Sequence, residues 1–385
     1  MTDVQNILDQ TATFVLAGGR GARLAPLTHT RSKPAVPFGD GRIIDFALMN
    51  CLQSNLNHPS IITQYQASHL RQHVGRWWLE QSASGAVAAA SPVCVPRPRQ
   101  EYSGTADALF RNAHLLDSKT RYVLILSADH IYDMDYRELL AFHVGRGADV
   151  TLSAVVYPRE SSHQFGILEV HASDHITGFE EKPAQPKELR GRPGSVLANM
   201  GIYVFGKEVF LNALQDDAND PASHHDIGRN ILPRLVKQQR MTVFRFEDPE
   251  TGITRYWKDV GTIDSYHEAS MCWLDSLPAN HRLAGAGSVI AEGVRIHQTA
   301  EVVDSILMPG VTVGPGARIR RAILDENARV LAGARIGCEA RESHAFGSTP
   351  KGVIVVAANS VVPAASGIDV TPRRRQIRLE PQIAR

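Results

Sequence analysis

The sequence predicts an α/β protein in which a doubly wound, mainly parallel sheet is followed by a short parallel β-helix. Up to residue 276, short apolar runs alternate with helical patterns, as in sheets that carry helices on both faces. From residue 288, apolar residues instead recur six positions apart, which is typical of hexapeptide-repeat coils. The 385 residues, 43% of them hydrophobic, are enough for two domains.

Six apolar runs predict the strands of the first domain. They lie at 13–17, 60–63, 93–95, 122–128, 150–156 and 200–205. Between them, IIDFALMNCLQ and GTADALFRNAHLL have helical periodicity, and Thr105 is placed to cap the second helix. Ligands of such sheets bind at the carboxyl ends of the strands, so we expect the functional residues there.

Three sets of apolar residues predict three β-helix coils between Ser288 and Ala340. Their members are Ile290, Ile296 and Val302; Leu307, Val313 and Ile319; Leu324, Val330 and Ile336. Each set begins 17 residues after the previous one. We therefore divide the chain into a first domain over 1–276, a linker over 277–287 and a β-helix domain with a C-terminal tail over 288–385. The open faces of a β-helix are suited to an oligomer interface.

Composition excludes several classes of protein. The chain has 41 basic and 40 acidic residues, which argues against an electrostatic surface for nucleic acid or membranes. Its four cysteines are far apart, so we expect neither a disulfide scaffold nor a zinc site. The first residues, MTDVQNILDQT, lack the features of a signal peptide, and no apolar run is long enough to span a membrane. We expect a soluble, cytoplasmic protein.

A glycine-rich turn follows the first predicted strand. Residues 16–24 read LAGGRGARL, and RSKPAVPF follows shortly after. The turn lacks the third glycine of a dinucleotide-binding turn and the Lys-Ser or Lys-Thr of a P-loop. Backbone N–H groups can approach phosphate closely at glycine, and Arg20, Arg23 and Lys33 can neutralise it. We interpret the turn as a phosphate cradle; the alternative is a plain tight turn whose glycines only allow positive φ.

Charged residues lie at three further predicted strand ends. Asp129 ends the fourth predicted strand, Asp259 precedes a helix that starts near Thr262, and Glu181 is followed by Lys182. An isolated Asp in such a place is often only a cap or turn residue, and the Glu-Lys pair could be solvated. Beside a phosphate cradle, however, Asp129 and Asp259 are candidates for holding Mg²⁺, which prefers one or two carboxylates plus phosphate oxygens and water.

Together these motifs resemble a known family. AGGRGARLAPLT with RSKPAVPF is similar to the signature of sugar-1-phosphate nucleotidyltransferases. RIIDFALMNCL, ITQYQASHL, YSGTADA, DHIYDMDY, FEEKP and YWKDVGT are narrower and resemble bacterial ADP-glucose pyrophosphorylases, the glucose-1-phosphate adenylyltransferases. The resemblance extends over nearly the whole chain. It implies a Rossmann-like catalytic domain, a left-handed β-helix and Mg²⁺-dependent adenylyl transfer from ATP to glucose 1-phosphate. The products would be ADP-glucose, for glycogen synthesis, and pyrophosphate, and homotetramers are usual.

The resemblance also assigns candidate site residues. Those implied to be catalytic are Arg23, Lys33 and Asp129, and the metal-binding pair is Asp129 and Asp259. Those implied to bind the nucleotide are Leu16, Ala17, Gly18, Gly19, Gly21, Gln64, Gly104 and Thr105. Those implied to bind the sugar phosphate or border its site are Tyr102, Gly166, Glu181, Lys182, Asn199 and Asp226. The attacking phosphate oxygen is already an anion, so the chemistry requires cations on the phosphates more than a strong base.

The chain departs from the family pattern in several places. Asn199 stands where many members have serine, Thr30 stands where enteric-type members have an activator-binding lysine, and the loop at 95–102 is shorter. We therefore expect weak or altered allosteric activation. Asn199 also keeps open a different substrate, such as glucosamine 1-phosphate or another nucleotide. A third interpretation is a noncatalytic regulatory subunit, although such subunits tend to lose the catalytic aspartate or the cations of the cradle.

Overall fold

The computed structural model describes residues 4–83, 93–95, 100–276, 287–337 and 348–364. The chain divides into two compact units, Met1–Ser265 and Tyr266–Arg385. Residues 277–286 of the predicted linker and the tail from residue 365 lie outside the described residues, so the predicted domain limits stay a prediction.

The helices and strands of the first unit alternate along the chain. Its helices are α1 (Val4–Asp9), α2 (Ile44–Gln53), α3 (Ala67–Ala83), α4 (Thr105–Asn112), α5 (Tyr136–Arg146), α6 (Lys207–Ala218) and α7 (Leu232–Leu235), and α8 (Ile263–Ser276) spans the division. Its strands are β1 (Thr11–Leu16), β2 (Pro37–Phe38), β3 (Gly41–Arg42), β4 (Ser60–Ile62), β5 (Val93–Val95), β6 (Tyr122–Ser127), β7 (His130–Tyr132), β8 (Val150–Pro158), β9 (Gly166–Val170), β10 (Ile176–Glu181), β11 (Ser195–Gly206), β12 (Met241–Arg245) and β13 (Trp257–Asp259).

A nine-stranded sheet forms the centre of the described part of this unit. Its order is β10-β9-β11-β6-β1-β4-β5, with β8 paired to β11 and β12 paired to β8. β1 is parallel to β4 and β6, and β4 is parallel to β5, so the strands around the glycine-rich turn all point the same way. Beyond β6 the pairing is mixed, because β11 runs antiparallel to β6, β8 and β9. The predicted α/β class is confirmed.

Both faces of the sheet are buried. In β6, Leu124 and Leu126 belong to a core with α2 and α3, whereas Val123 and Ile125 belong to a second core with α4 and α6. A strand covered on both faces needs apolar residues at every position, not at alternate ones. This is why the central strands could be recognised as continuous apolar runs, and it confirms the doubly wound arrangement.

The second unit contains a parallel β-helix. Its strands are β14 (Val289–Ile290), β15 (Arg295–Ile296), β16 (Glu301–Val303), β17 (Ile306–Leu307), β18 (Thr312–Val313), β19 (Arg318–Arg320), β20 (Ala322–Leu324), β21 (Arg329–Val330), β22 (Arg335–Ile336), β23 (Ile354–Val356) and β24 (Val361–Val362). They form three sheets, ordered β14-β17-β20-β23, β15-β18-β21-β24 and β16-β19-β22.

The three predicted coils are confirmed, and a fourth follows them. Ile290 pairs with Leu307 and Leu307 with Leu324, a step of 17 residues each time. Leu324 then pairs with Val356, which belongs to the fourth coil. This coil was not predicted from the sequence, because the longer intervening segment breaks the regular spacing. All four coils contribute inward side chains to one buried cluster.

No helix among the described residues combines the length and the apolar character needed to cross a membrane.

Candidate active site

A cleft of about 250 Å³ opens in the first unit at the carboxyl ends of β1 and β6. This is the edge of the sheet at which the sequence predicted a site. The candidate residues that line the cleft are Leu16, Arg23, Lys33, Thr105, Asp129, Gly166, Glu181, Lys182, Asn199, Asp226 and Asp259. The structure thus brings residues from segments more than 240 positions apart in the chain into one cavity.

Lys33 lies between two carboxylates at the base of the cleft. Its Nζ donates to Oδ2 of Asp129 at 2.9 Å and to Oδ1 of Asp259 at 2.7 Å. Burial by itself would lower the pKa of Lys33, but the attraction of the two carboxylates outweighs it and the pKa is raised. Burial likewise would raise the pKa of Asp129, yet the ammonium of Lys33, assisted by His130, holds it below its usual range. Lys33 and Asp129 are therefore both ionised at neutral pH.

A two-stranded ribbon brings the two aspartates together. β13 pairs antiparallel with β7, which places Asp259 directly opposite His130, the residue after Asp129. Ligand atoms of Asp129, His130 and Asp259 all lie within 4.8 Å of one another, an arrangement that can hold a divalent metal ion. The ring of His130 packs edge-on against Trp257, with centroids 5.0 Å apart.

The glycine-rich turn is shaped to fit against Lys33. Gly21 has φ of +64°, and a Cβ there would lie 2.7 Å from the Cβ of Lys33, so a residue with a side chain does not fit without displacement. A short 3₁₀ turn, Ala22–Leu24, follows at once. It directs the guanidinium of Arg23 into the cleft, where it donates to the side-chain oxygen of Gln164.

Seven of the candidate residues lie beside the cleft without lining it. They are Ala17, Gly18, Gly19, Gly21, Gln64, Tyr102 and Gly104. Among them, the side-chain oxygen of Gln64 accepts the N–H of Tyr102 at 2.8 Å, and a Cβ at Gly18 would lie 3.3 Å from the Cβ of Gln64. The phenol of Tyr102 accepts from Asn112 at 2.9 Å, and its ring lies under the guanidinium of Arg111. Tyr102 is therefore tied to α4.

Thr105 does not cap α4 as predicted. The helix begins at Thr105, and the preceding Gly104 occupies the cap position without a side-chain hydrogen bond. The hydroxyl of Thr105 instead donates to Oδ2 of Asp226 at 3.1 Å and accepts the N–H of Ile227 at 2.9 Å. The sequence pattern was misleading because the partner of this hydroxyl lies more than 120 residues further along the chain.

A glutamate and a lysine form the opposite wall of the cleft. Nζ of Lys182 lies 2.8 Å from Oε1 of Glu181, and Lys182 has a left-handed backbone with φ of +50°. Gly166 allows this wall to close up, because a Cβ there would lie 2.4 Å from the ring of Phe179 and 2.9 Å from Oε2 of Glu181. Gly228 faces the same carboxylate, because a Cβ at Gly228 would lie 2.7 Å from Oε2 of Glu181.

The amide of Asn199 is engaged by its own strand. Its nitrogen donates to the phenol oxygen of Tyr203 at 2.8 Å, and its oxygen accepts the N–H of Gly201 at 3.1 Å. These bonds span an irregularity in the pairing of β11 with β8. Burial raises the pKa of Tyr203, although the bond from Asn199 opposes this, so the phenol stays neutral. Asn199 is thus held in one orientation at the cleft wall.

Several residues that line the cleft were not predicted from the sequence. They are Ser127, His130, Gln164, Phe165, Gly201, Tyr203, Ile227 and Gly228. Three of them, His130, Phe165 and Ile227, are immediate chain neighbours of predicted candidates, and all the others except Tyr203 lie two positions from one. His130 was the most accessible of them to sequence reasoning, since it stands directly after Asp129 and is a residue type that binds metals.

Comparison with known proteins identifies the family. The profile described as Nucleotidyl transferase matches residues 12–276, and the profile described as GlmU-like, C-terminal hexapeptide matches residues 283–356. A Glucose-1-phosphate adenylyltransferase of Rhodopirellula baltica is 36% identical over 92% of this chain and 92% of the relative. The chain belongs to the glucose-1-phosphate adenylyltransferase family. Two further relatives agree. A Glucose-1-phosphate adenylyltransferase of Teredinibacter turnerae is 35% identical over 92% of this chain and 96% of the relative. Glucose-1-phosphate adenylyltransferase 2 of Vibrio cholerae is 35% identical over 91% of this chain and 98% of the relative.

The family assignment confirms the resemblance and the nucleotidyltransferase class that the motifs indicated. It also confirms the order of the two domains, since the hexapeptide profile follows the nucleotidyl transferase profile along the chain.

Proposed function

We propose that this protein transfers the adenylyl group of ATP to glucose 1-phosphate, forming ADP-glucose and releasing pyrophosphate. The single observation that carries the proposal is the convergence of two cations and two carboxylates in one cleft. Arg23 and Lys33 supply the cations, and Asp129 and Asp259 supply the carboxylates. This set suits a reaction whose main difficulty is to bring two phosphate anions together.

The nucleotide side of the cleft is the glycine-rich turn. We assign the backbone of Gly18, Gly19 and Gly21 to the triphosphate, and Arg23 and Lys33 to its negative charge. Lys33 is held charged by its two carboxylate partners, so its cation is preformed. A preformed cation costs no reorganisation as charge shifts from the attacking oxygen to the leaving pyrophosphate. The nearby Gln64, Gly104 and Thr105 are assigned to the rest of the nucleotide, together with Leu16 and Ala17.

The donor set fits a magnesium ion. Asp129 and Asp259 offer hard carboxylate oxygens close to one another, and phosphate oxygens and water complete the ligand set that Mg²⁺ prefers. When bound, the ion would neutralise phosphate charge and align the triphosphate. The lowered pKa of Asp129 makes this side chain a poor proton acceptor, which supports a charge-holding role over general base catalysis.

We assign the opposite wall to the sugar phosphate. The ammonium of Lys182 is positioned by Glu181 and is more than half exposed, so it is available to a phosphate group. Asp226 and the amide of Asn199 offer polar atoms to sugar hydroxyls, next to Gly166, and Tyr102 borders the entrance. Glucosamine 1-phosphate and a noncatalytic role remain outcomes of the test. A role in glycogen synthesis, a homotetrameric state and a cytoplasmic location belong to the same proposal.

The test is pyrophosphate release by the purified chain with Mg²⁺, either glucose 1-phosphate or glucosamine 1-phosphate and, in turn, ATP, UTP, dTTP and GTP. We expect turnover with ATP and little with the other nucleotides. Turnover with another nucleotide would retain nucleotidyl transfer as the reaction but replace ATP as the nucleotide donor. Turnover only with glucosamine 1-phosphate would replace the acceptor, and silence with both sugar phosphates and every nucleotide would contradict the proposal.

Two substitutions in one motif link the activity to this cleft. Asp129→Asn should abolish turnover while the circular dichroism spectrum and the size of the particle stay unchanged. Asp133→Asn is the matched control, because Asp133 lies four residues further on and is exposed. Turnover that survives Asp129→Asn would place the reaction elsewhere.

A further inference from the structure

A buried carboxylate lies behind the cleft, on the last turn of α6. The side chain of Asp217 is 2% exposed. Its Oδ1 accepts the hydroxyl of Ser223 at 2.6 Å, and its Oδ2 lies 2.9 Å from Nδ1 of His225. A carboxylate can only accept, so Nδ1 of His225 carries the hydrogen. Asp217 therefore anchors two residues of the loop that leads to Asp226.

His225 has a backbone conformation that side-chain-bearing residues seldom adopt. Its φ is +52°, in the left-handed region. Two bonds hold it there: the ring donates to Asp217, and the backbone N–H donates to Oγ of Ser223 at 2.9 Å. An unfavourable backbone conformation persists only where the surrounding contacts hold it in place. Asp217 accepts the bond from the ring directly, and it also accepts the hydroxyl of Ser223, whose oxygen accepts the backbone N–H.

The backbone of His225 controls the start of α4. Its carbonyl accepts the N–H of Ala106 at 2.8 Å, one of the N–H groups at the start of α4 that have no partner within the helix. Gly104 is packed so closely that a Cβ there would lie 2.2 Å from the same carbonyl oxygen. The next residue, Asp226, accepts the hydroxyl of Thr105. The conformation at His225 thus decides where Asp226 and Thr105 lie in the cleft.

We propose that Asp217 and His225 are positioning residues for the sugar-phosphate side of the site. Neither lines the cleft, so they act through Asp226 and the chain that follows it. That chain includes Gly228, which packs against Glu181, and so the same loop fixes the spacing between two proposed sugar-phosphate residues. The inference rests on the proposed function, because Asp226 and Glu181 are assigned to glucose 1-phosphate there.

Three substitutions separate the two things that His225 supplies. His225→Asn keeps a side-chain N–H for Asp217 and tolerates the left-handed backbone. His225→Gly keeps the backbone freedom but loses the bond to Asp217. His225→Ala loses the bond and also disfavours the backbone conformation. His224→Ala is the matched control, since the neighbouring His224 side chain is exposed.

The measurement is the KM for glucose 1-phosphate and the KM for ATP of each variant, with unfolding temperatures recorded in parallel. We expect the KM for glucose 1-phosphate to rise about tenfold in His225→Gly and further in His225→Ala, because small displacements of binding groups have effects of this size. The KM for ATP should change by about twofold at most. A small change is expected because Thr105, which is assigned to the nucleotide, donates to Asp226. His225→Asn and His224→Ala should resemble the unsubstituted protein.

The outcomes distinguish this inference from the proposed function. Absence of turnover by the unsubstituted protein would remove the proposed function itself. Normal turnover with unchanged KM values in His225→Gly and His225→Ala would overturn the positioning role alone. Equal rises in both KM values, or a lower unfolding temperature with unchanged KM values, would show that the pair only stabilises the fold, and would overturn it as well.

Discussion

Nζ of Lys33 lies 2.7 Å from Oδ1 of Asp259, although 226 residues separate them in the chain. The same ammonium donates to Asp129, 96 residues away from Lys33. One buried cation therefore joins the glycine-rich region, the end of the β6 strand and the β13 ribbon. Removing it would leave two carboxylates facing one another and would also remove a charge from the proposed phosphate site.

We predict that Lys33→Gln lowers kcat/KM by about 100-fold or more, since it removes a preformed cation from the transition state. It should also lower the free energy of unfolding by about 2 kcal/mol, a value reduced from that of a fully buried pair because Asp129 is partly exposed. Steady-state kinetics and urea denaturation measure the two effects.

The matched control is Lys187→Gln. Lys187 is mostly exposed and pairs with Glu169 at the surface, where such pairs contribute little. Lys187→Gln should leave kcat/KM and the free energy of unfolding nearly unchanged. If Lys33→Gln and Lys187→Gln behave alike, the central role of the Lys33 ammonium is refuted.

Gly21→Ala should disrupt the glycine-rich turn. The substitution forces a Cβ into the left-handed region and against Lys33, so we expect a loss of about 1–3 kcal/mol in stability together with reduced turnover. Gly75→Ala is the contrasting change, because Gly75 lies in α3 with open space around it. It should change stability by at most about 1 kcal/mol, in the stabilising direction. Thermal unfolding of both variants decides the matter, and an unaffected Gly21→Ala would rule out the steric argument.

His143 makes the stability of the fold depend on pH. It is buried on α5, with Nδ1 2.8 Å from the hydroxyl of Thr151, and burial lowers the pKa of His143 from 6.5 to about 4, partly opposed by Asp149. As the pH falls, His143 therefore takes up a proton in the unfolded chain at a higher pH than in the folded chain. Stability should fall by about 3 kcal/mol in total as the pH decreases from 6.5 to 4, and this loss should be absent above 6.5.

The variant His143→Gln has no imidazole to protonate and should lose most of this pH dependence. Urea denaturation at several pH values across the same window measures it, and His58→Gln, at an exposed position, serves as the control. Parallel pH profiles for the unsubstituted protein and His143→Gln would show that other groups cause the acid sensitivity.

We also predict a weak response to fructose 1,6-bisphosphate. Thr30 is exposed and uncharged. The resemblance implies an activator-binding lysine at this position in enteric-type members and a loop longer than the one that begins at Val95. Residues 96–99 of that loop lie outside the described residues, so the prediction rests on the sequence. Initial rates with and without the effector provide the measurement, and a large rise in activity would contradict it.

The sequence was most informative where a strand is long and buried on both faces. β6 was recognised over its whole length and β1 and β8 over most of theirs, whereas β11 was recognised only from Met200 onward. β9, β10 and β12 were not among the six predicted strands, because polar or charged residues interrupt their apolar runs. β2, β3, β7 and β13 were also missed, since each has only two or three residues. The direction of β11 was equally out of reach, because an apolar run has the same composition in parallel and antiparallel pairing.

The residues of the site also differ in how well the sequence could predict them. Charged residues beside the glycine-rich turn, such as Lys33, and at a strand end, such as Asp129, were identified because their residue types suit phosphate and metal chemistry. The role of Asp217 could not be predicted, since it depends on a hydrogen bond to a loop residue with a left-handed backbone. The prediction that Thr105 caps α4 was wrong for a related reason. The local pattern suits a cap, but the hydroxyl bonds to the distant carboxylate of Asp226.

The fourth coil of the β-helix has a consequence for how this unit tolerates change. Val356 takes the next place in the column of Ile290, Leu307 and Leu324, despite the much longer segment before it. The stack is held by contacts between adjacent coils, and these do not depend on the path of the chain from one coil to the next. The interval between the third and fourth coils is therefore a natural insertion point, where an epitope or a reporter domain would be anchored on both sides without changing the register.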